Sequence, residues 1–172
     1  MVYVGRDNEA VLQDSRLLHP HLTSGKLRLT RLPNEDSVFD GDSLSNFTTS
    51  PALWEALAPA HSIFFFQADS FVCSASNYSL NDFLGLDVFE GGYDFVGAPW
   101  GWRGYPATPW GGNGGTSLRR RDTMLAITRA NDWDGLAEDM WFADKIAETT
   151  NRFPEQDVAM KFSWASPRAP SD

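Results

Sequence analysis

The sequence predicts an α/β fold in which a mostly parallel sheet is flanked by helices. Two observations support this. First, β-prone segments alternate along the chain with segments whose apolar residues recur at helical spacing. Second, the most apolar run, Ile-Phe-Phe-Phe at 63–66, contains no polar residue, as in a strand that is covered on both faces. Alternation of strands and helices is typical of folds built on a parallel sheet.

The first third of the chain is predicted to contain two strands and one helix. Val-Tyr-Val at 2–4 is a short β-prone run, and the apolar spacing over 8–18 indicates a helix that ends before Pro20. Leucines alternate with polar residues over 27–32, which indicates a second strand. The polar and acidic segment 34–46 is predicted to be a loop.

The middle of the chain begins with a helix and then supplies the apolar strand. Ser50 is a suitable N-cap, and Pro51 suits the first helical position. After the apolar run, a strand is predicted over 93–96. A long loop rich in aromatic residues and glycine follows over 100–115, and a short strand follows over 116–118.

The last part is predicted to be helical. Asp122 can cap a helix, a second helix is expected over 138–148, and a third is expected over 155–161. We expect residues 1–163 to form a single domain, with 164–172 as a flexible tail, since a domain of about 150 residues is ordinary.

Charge and composition exclude several classes of protein. The 172 residues carry a net charge of −9, whereas nucleic-acid and anionic-membrane binders usually have a basic excess. Cys73 is the only cysteine, which excludes an internal disulfide and a Cys-rich zinc site. The sequence shows no membrane-spanning run and no signal-peptide pattern, so it indicates no compartment, and it does not reveal an oligomeric state.

The first candidate site follows the apolar strand, in the segment Gln67-Ala68-Asp69-Ser70. Residues two apart on a strand point to the same side, so Gln67 and Asp69 can present two oxygen atoms to one crevice. Oxygen pairs of this kind hold Mg²⁺ or Mn²⁺, which in turn binds a diphosphate. The alternative is that Asp69 and Ser70 only begin a turn.

The second candidate is the glycine-rich run 111–115, in which Asn113 is the one residue that is not glycine. Gly114 and Gly115 allow the backbone to approach a ligand closely and to expose its N–H groups. The run matches neither a Walker A loop nor a dinucleotide fingerprint. A flexible turn is the alternative interpretation.

The third candidate is the pair Glu138 and Asp139, at the start of a predicted helix. One of them would act as a general base, which must lie within hydrogen-bonding reach of the proton it removes. The alternative is that both only stabilise the positive end of the helix.

The fourth candidate is the aromatic loop that contains Trp100, Trp102, Tyr105 and Trp110. Exposed rings can stack on a sugar or a base, whereas buried rings would pin the loop to the domain. The basic run 119–121 either binds a phosphate or forms a solvated surface cluster, and the second interpretation is favoured.

Taken in order, these segments resemble the DUF5672 family. The resemblance rests on Phe-Phe-Gln-Ala-Asp-Ser at 65–70, Tyr-Asp-Phe-Val-Gly-Ala-Pro-Trp at 93–100, Gly-Asn-Gly-Gly-Thr-Ser-Leu-Arg at 112–119 and Glu-Asp at 138–139. It covers roughly residues 50–163. The family is similar to the GT-A glycosyltransferases, which implies a Rossmann-like, GT-A-like sheet with flanking helices.

The resemblance also implies an activity and roles for residues. A sugar would pass from a nucleotide-sugar donor to a glycan or another hydroxyl acceptor, as in a hexosyltransferase, with a divalent cation (Mn²⁺ or Mg²⁺) assisting. Asp69 stands at the place of the metal-binding Asp-x-Asp motif, and Gly114 and Gly115 line the sugar and acceptor pocket. Asp139, with Glu138, takes the place of the catalytic carboxylate of inverting relatives. Gln67, Ser70, Trp100, Trp110 and Asn113 complete the expected donor and acceptor site.

The chain departs from the GT-A pattern in three ways. Gln67 replaces a carboxylate, no histidine follows the Glu-Asp helix, and Val-Tyr-Val at 2–4 resembles the second strand of the fold rather than the first. We therefore expect a domain that is partial at its N-terminus. These departures favour a rival hypothesis, a non-catalytic carbohydrate-binding or interaction protein built on a degenerate or truncated glycosyltransferase fold.

Overall fold

The structure, a computed structural model, describes residues 1–32, 41–67, 70–84, 92–100 and 111–163, and only the main chain of Arg6. The chain forms two compact units, Met1–Leu44 and Ser45–Asp172. No helix among the described residues has the length and the apolar character that a membrane crossing requires.

The first unit contains a two-stranded parallel sheet. Strand β1 (Val2–Val4) pairs with β2 (Leu29–Arg31), and helices α1 (Arg6–Gln13) and α2 (His19–Thr23) lie between them in the chain. An ion pair of 2.5 Å between Arg31 and Glu9 connects β2 to α1. The strand predicted at 2–4 is confirmed.

Helix α3 (Gly41–Thr48) includes the last part of the segment 34–46 that was predicted to be a loop, so that prediction is wrong for 41–46, and 34–40 lie outside the described residues. The segment is polar, but the hydroxyls of Thr48 and Thr49 donate hydrogen bonds to the carbonyl oxygen of Ser45. All three of these residues are buried. Polar side chains that bond to their own helix can be buried at low cost, which composition alone does not show.

The second unit contains the remaining elements. In chain order they are α4 (Pro51–Ala56), β3 (Ser62–Phe66), a 3₁₀ turn (Leu80–Phe83), β4 (Phe95–Pro99), β5 (Gly112–Arg120), α5 (Arg121–Ala130), α6 (Glu138–Glu148) and α7 (Gln156–Phe162).

Strand β5 lies between β3 and β4 and is antiparallel to both. Leu118 is opposite Phe64 on one side and Val96 on the other. The α/β class is confirmed, but the expectation of a mostly parallel sheet is wrong, because β1–β2 is the only parallel pair among the described strands. Alternation of elements is a local signal, whereas strand direction depends on which distant segments pair.

The three-stranded sheet packs on both faces. On one face, which we call the Leu118 face, Leu118, Val96 and Phe64 meet Phe83 and Phe162. The strand predicted over 63–66 is confirmed, but it lies at the edge of this sheet and Phe66 is 61% exposed, so the expectation of complete cover on both faces is wrong.

The opposite face, which we call the Arg119 face, carries Phe65, Phe95 and the side chain of Arg119. Trp54 of α4 lies 5.6 Å from Phe65, and 5.7 Å from Phe142 of α6, between ring centroids. Helices α4 and α6 therefore cover the Arg119 face and bring the start of α6 close to β5.

The ladder between β4 and β5 is interrupted by a bulge. Gly97 is opposite Ser117, whereas the next residue, Ala98, is opposite Asn113. Residues 114–116 of β5 therefore protrude from the ladder. The glycine run was predicted to belong to a loop, with a strand starting only at 116, but β5 begins at Gly112 and the glycines form the bulge.

Candidate functional site

The bulge directs the main chain of Gly114 towards α6. The N–H of Gly114 donates a hydrogen bond of 3.0 Å to Oδ2 of Asp139. Its carbonyl oxygen accepts bonds from the Ser117 hydroxyl at 2.9 Å and from Nη2 of Arg119 at 3.2 Å. The bulge thus replaces ladder bonds with bonds to polar side chains, as bulges beside functional sites often do.

The first turn of α6 supplies two carboxylates. Oδ1 of Asp139 accepts a bond of 2.8 Å from the N–H of Met140. The N–H of Glu138 donates to the Ser45 hydroxyl at 3.3 Å. The carboxylate of Asp139 therefore also bonds to the start of the helix, as the alternative interpretation expected, whereas Glu138 contributes only its main-chain N–H there.

Arg119 binds Glu138 at two points. Nη1 lies 2.6 Å from Oε2 and Nη2 lies 2.8 Å from Oε1, which matches the planar fork of the guanidinium to the carboxylate. The side chain of Arg119 is 1% exposed and that of Glu138 is 12% exposed. The pair is therefore largely removed from water.

Aromatic rings surround the guanidinium of Arg119. Its central carbon lies 4.6 Å from the ring centroid of Phe65, 4.9 Å from that of Phe95 and 5.6 Å from that of Phe142. Cation–π attraction of this kind is worth about 0.5–2 kcal/mol for each ring. The three aromatic rings and the ion pair with Glu138 together fix the position of Arg119.

The protonation of Asp139 is shifted by its surroundings. Burial raises the pKa of Asp139 above its usual range, and the negative charge of Glu138 raises it further. The N–H of Gly114, the charge of Arg119 and the N–H of Met140 act in the opposite direction and offset part of this pKa rise. The result is a carboxylate that holds a proton more strongly than an exposed aspartate does.

The two glycines of the bulge border the site closely. A Cβ atom on Gly114 would lie 2.0 Å from Oε1 of Glu138, and one on Gly115 would lie 2.7 Å from Oε1 of Gln67. The N–H of Gly115 donates to Oδ1 of Asn113 at 2.9 Å. Gly114 therefore faces the acids, and Gly115 faces two neutral amides.

The residues at the end of β3 contact the same bulge of β5. The N–H of Gln67 donates to the carbonyl of Gly115 at 2.9 Å, and the N–H of Ser70 donates to the carbonyl of Gln67 at 3.0 Å. The hydroxyl groups of Ser70 and Thr116 lie 2.6 Å apart. These contacts fix Gln67 and Ser70 against the bulge.

Most of the expected site residues therefore meet around the bulge: Gln67, Ser70, Asn113, Gly114, Gly115, Glu138 and Asp139. Trp100 is half-buried and directly follows Pro99, which is opposite Gly112 at the start of β5. Asp69 and Trp110, together with Trp102 and Tyr105, lie outside the described residues.

Arg119 is the residue whose place the sequence interpretation missed. The basic run was expected to be a solvated surface cluster, but Arg119 is buried. Arg120 pairs with the buried Asp94 at 3.1 Å, and Nη1 of Arg121 donates to the carbonyl of Trp54 at 3.1 Å. The one signal available in the sequence was the alternation of strand β5, which places Arg119 on the same face as Ser117.

The metal expectation stays a prediction, and the described residues show only which oxygen donors lie beside the bulge. Gln67 and Asn113 offer amide oxygens, which are hard ligands of the type that Mg²⁺ and Mn²⁺ accept, but these oxygens are neutral. The negative charge would have to come from Asp69. Among the described residues, no group of three or more His, Cys, Asp or Glu side chains is arranged to hold a metal ion.

Comparison with known proteins assigns the chain to a family. The family model described as "Protein of unknown function (DUF5672)" matches residues 26–169, which is most of the chain. No curated protein and no solved structure matches it.

Proposed function

Since this chain belongs to the DUF5672 family, we propose that it is a glycosyltransferase that moves a sugar from a nucleotide-sugar donor to an acceptor hydroxyl. One observation carries the proposal. A half-buried carboxylate, Asp139, is held by the Gly114 N–H beside a glycine bulge that carries the neutral amides of Gln67 and Asn113.

Asp139 is the general base in this proposal. The acceptor oxygen forms a bond to the anomeric carbon, the bond from that carbon to the diphosphate oxygen breaks, and the acceptor proton passes to Asp139. A base works best when its pKa approaches the working pH, and burial raises the pKa of Asp139 in that direction. The main-chain N–H groups of Gly114 and Met140 donate to the carboxylate of Asp139 and hold it in place for the acceptor.

Neutral groups suit the recognition of a sugar. Gln67 and Asn113 can donate and accept hydrogen bonds, as can the hydroxyl of Ser70. Sugar hydroxyls need both kinds of partner and carry no charge. Gly115 has no side chain, so the donor can approach its main chain between the amides of Gln67 and Asn113. A side chain at this position would collide with the Gln67 amide.

A divalent cation would be held by Asp69, with the Gln67 oxygen as a neutral ligand. When bound, the cation would neutralise the charge that develops on the leaving nucleoside diphosphate. Trp100 and Trp110 are proposed to stack on the sugar or acceptor.

The direct test is the release of nucleoside diphosphate from a panel of nucleotide sugars, with Mn²⁺ and a mixture of hydroxyl acceptors. We expect Asp139→Asn to lower the rate by ~10²- to 10⁴-fold, the usual contribution of a general base. Asp132→Asn, at an exposed aspartate, is the control and should retain the rate. Release that survives Asp139→Asn unchanged would contradict the base assignment.

The rival function is a binding protein without catalysis. The observation that favours it is the neutral character of the Gln67 and Asn113 amides, where two carboxylates would bind a metal more strongly. Calorimetric titration with a nucleoside diphosphate, with and without Mn²⁺, separates the two. Metal-dependent binding favours the transferase, whereas glycan binding that is indifferent to metal and nucleotide favours the rival.

A further inference from the structure

Glu138 and Asp139 are adjacent in sequence, yet their surroundings differ. Both oxygens of Glu138 are bonded to the guanidinium of Arg119. The oxygens of Asp139 accept instead from main-chain N–H groups, those of Gly114 and Met140. Both oxygens of a carboxylate in a two-point ion pair are already engaged, and to release one of them would leave the buried guanidinium without part of its partner.

Arg119 also bonds to Gly114, the residue whose N–H holds Asp139. The same Nη2 that binds Glu138 donates to the carbonyl oxygen of Gly114, and the N–H of Gly114 binds Asp139. Nε of Arg119 donates to the Ser117 hydroxyl at 2.9 Å, and that hydroxyl donates to the same Gly114 carbonyl. Arg119 thus orients the peptide that holds the base.

We propose that Arg119 is a positioning residue that occupies Glu138 and orients Gly114, so that Asp139 rather than Glu138 is the base of the site. The catalytic role of Asp139 in this proposal rests on the proposed function. The arrangement of Arg119, Glu138 and Asp139 can be measured without turnover. The sequence predicted that both acids belong to the catalytic site. The proposal leaves Asp139 as the base and makes Glu138 the fixed counter-charge of Arg119.

The charged groups that act on Asp139 among the described residues are Glu138 on its own helix and Arg119 on β5. They have opposite signs, which allows a sharp test. Removing the charge of Glu138 should let Asp139 release its proton at lower pH. Removing the charge of Arg119 should have the reverse effect, and this opposition tests whether both charges lie against Asp139 as the geometry shows, while the effect of Arg119→Lys on kcat and KM distinguishes positioning from a purely structural role.

The experiment follows the carboxyl carbon of Asp139 by NMR in the full chain labelled with ¹³C-aspartate, with the signal assigned by its loss in Asp139→Asn. We expect Glu138→Gln to move the titration midpoint to lower pH and Arg119→Met to move it to higher pH. Arg129→Gln, which breaks the exposed pair with Glu55, is the matched control and should move neither. Midpoints that stay unchanged, or that move in the same direction, overturn the proposal.

Two further arms keep the test decisive. If circular dichroism shows that Arg119→Met does not fold, Glu138→Gln decides alone: a downward shift supports the proposal and no shift overturns it. Arg119→Lys keeps the charge and loses the two-point geometry, so we expect kcat to fall ~10- to 100-fold with KM for the donor little changed. A change in KM alone overturns the positioning role. Absence of turnover in the wild type refutes the transferase, and the titration still decides the arrangement.

Discussion

The main-chain N–H of Gly114 and the carboxylate of Asp139 are joined by a hydrogen bond of 3.0 Å, although 25 residues separate them in sequence. The bond links the bulge of β5 to the first turn of α6. It makes the shape of the strand and the position of the carboxylate depend on each other. Changes to either partner should therefore affect both stability and activity.

Gly114→Ala should be strongly destabilising. The added Cβ would lie 2.0 Å from Oε1 of Glu138 and 2.7 Å from Nη2 of Arg119, and neither can move without disturbing the buried pair. Overpacking of this kind costs about 1–3 kcal/mol, and we expect the upper end. Urea unfolding measures the change in the free energy of unfolding. Gly5→Ala is the control, because a Cβ there meets nothing within 4 Å.

Gly115→Ala should separate activity from stability. Its added Cβ would meet mainly the amide ends of Gln67 and Asn113, which are exposed and can swing away. We expect little loss in the free energy of unfolding and a clear rise in KM for the donor, because the amides that recognise the sugar are displaced. A loss of stability as large as that of Gly114→Ala would contradict this account.

Asp139→Asn should gain stability relative to the wild type as pH rises. Because burial raises the pKa of Asp139, the folded chain favours the protonated form. The resulting stability is fully present below the pKa of an unfolded aspartate, and it is lost as pH rises through the folded pKa. The neutral variant escapes this loss. Urea unfolding at a series of pH values measures the difference, and a difference constant with pH would refute the assignment.

The single variant Arg119→Met should be less stable than the double variant that also carries Glu138→Gln. Methionine fills the space among Phe65, Phe95 and Phe142 but leaves the charge of Glu138 without its partner. Breaking a buried ion pair costs about 3–5 kcal/mol, much of it for the charge left behind. The double variant removes that charge, so its midpoint in thermal unfolding should recover part of the loss. Equal midpoints would show that the pair itself contributes little.

Ser70→Ala should weaken donor binding. The hydroxyls of Ser70 and Thr116 are 2.6 Å apart, and this contact holds Ser70 against β5. Its loss should cost about 0.5–1.5 kcal/mol of stability and raise KM for the donor while kcat changes little. Ser76→Ala, which removes a hydroxyl bonded to the carbonyl of Tyr78 at an exposed position, is the control.

The sequence was a good guide where a structure is fixed locally. The helix predicted over 138–148 has those bounds, and α4 begins at Pro51 as the preference for proline at the first helical position expects, although the Ser50 side chain makes no capping hydrogen bond. Gln67, Gly115 and the Glu-Asp pair, which the resemblance assigned to one site, lie together around the bulge, whereas Asp69 lies outside the described residues and their roles stay a prediction. These features depend on short patterns or on the resemblance to a family.

The sequence was a poor guide where distant segments decide the outcome. The direction of β5 depends on its insertion between β3 and β4, and no local pattern records this. Arg119 was expected at the surface because arginines usually lie there. Its burial depends on a partner 19 residues away and on rings from three separate elements.

The bulge in β5 also constrains the length of the chain. Side chains alternate along the rest of the strand, so the deletion of one residue between Gly114 and Arg119 would place the guanidinium with Phe64 and Val96 instead of Phe65 and Phe95. The amino-acid content of the strand would be almost unaltered, yet Glu138 would lose its cation. Relatives that preserve this chemistry should therefore tolerate substitutions in the strand more readily than insertions or deletions.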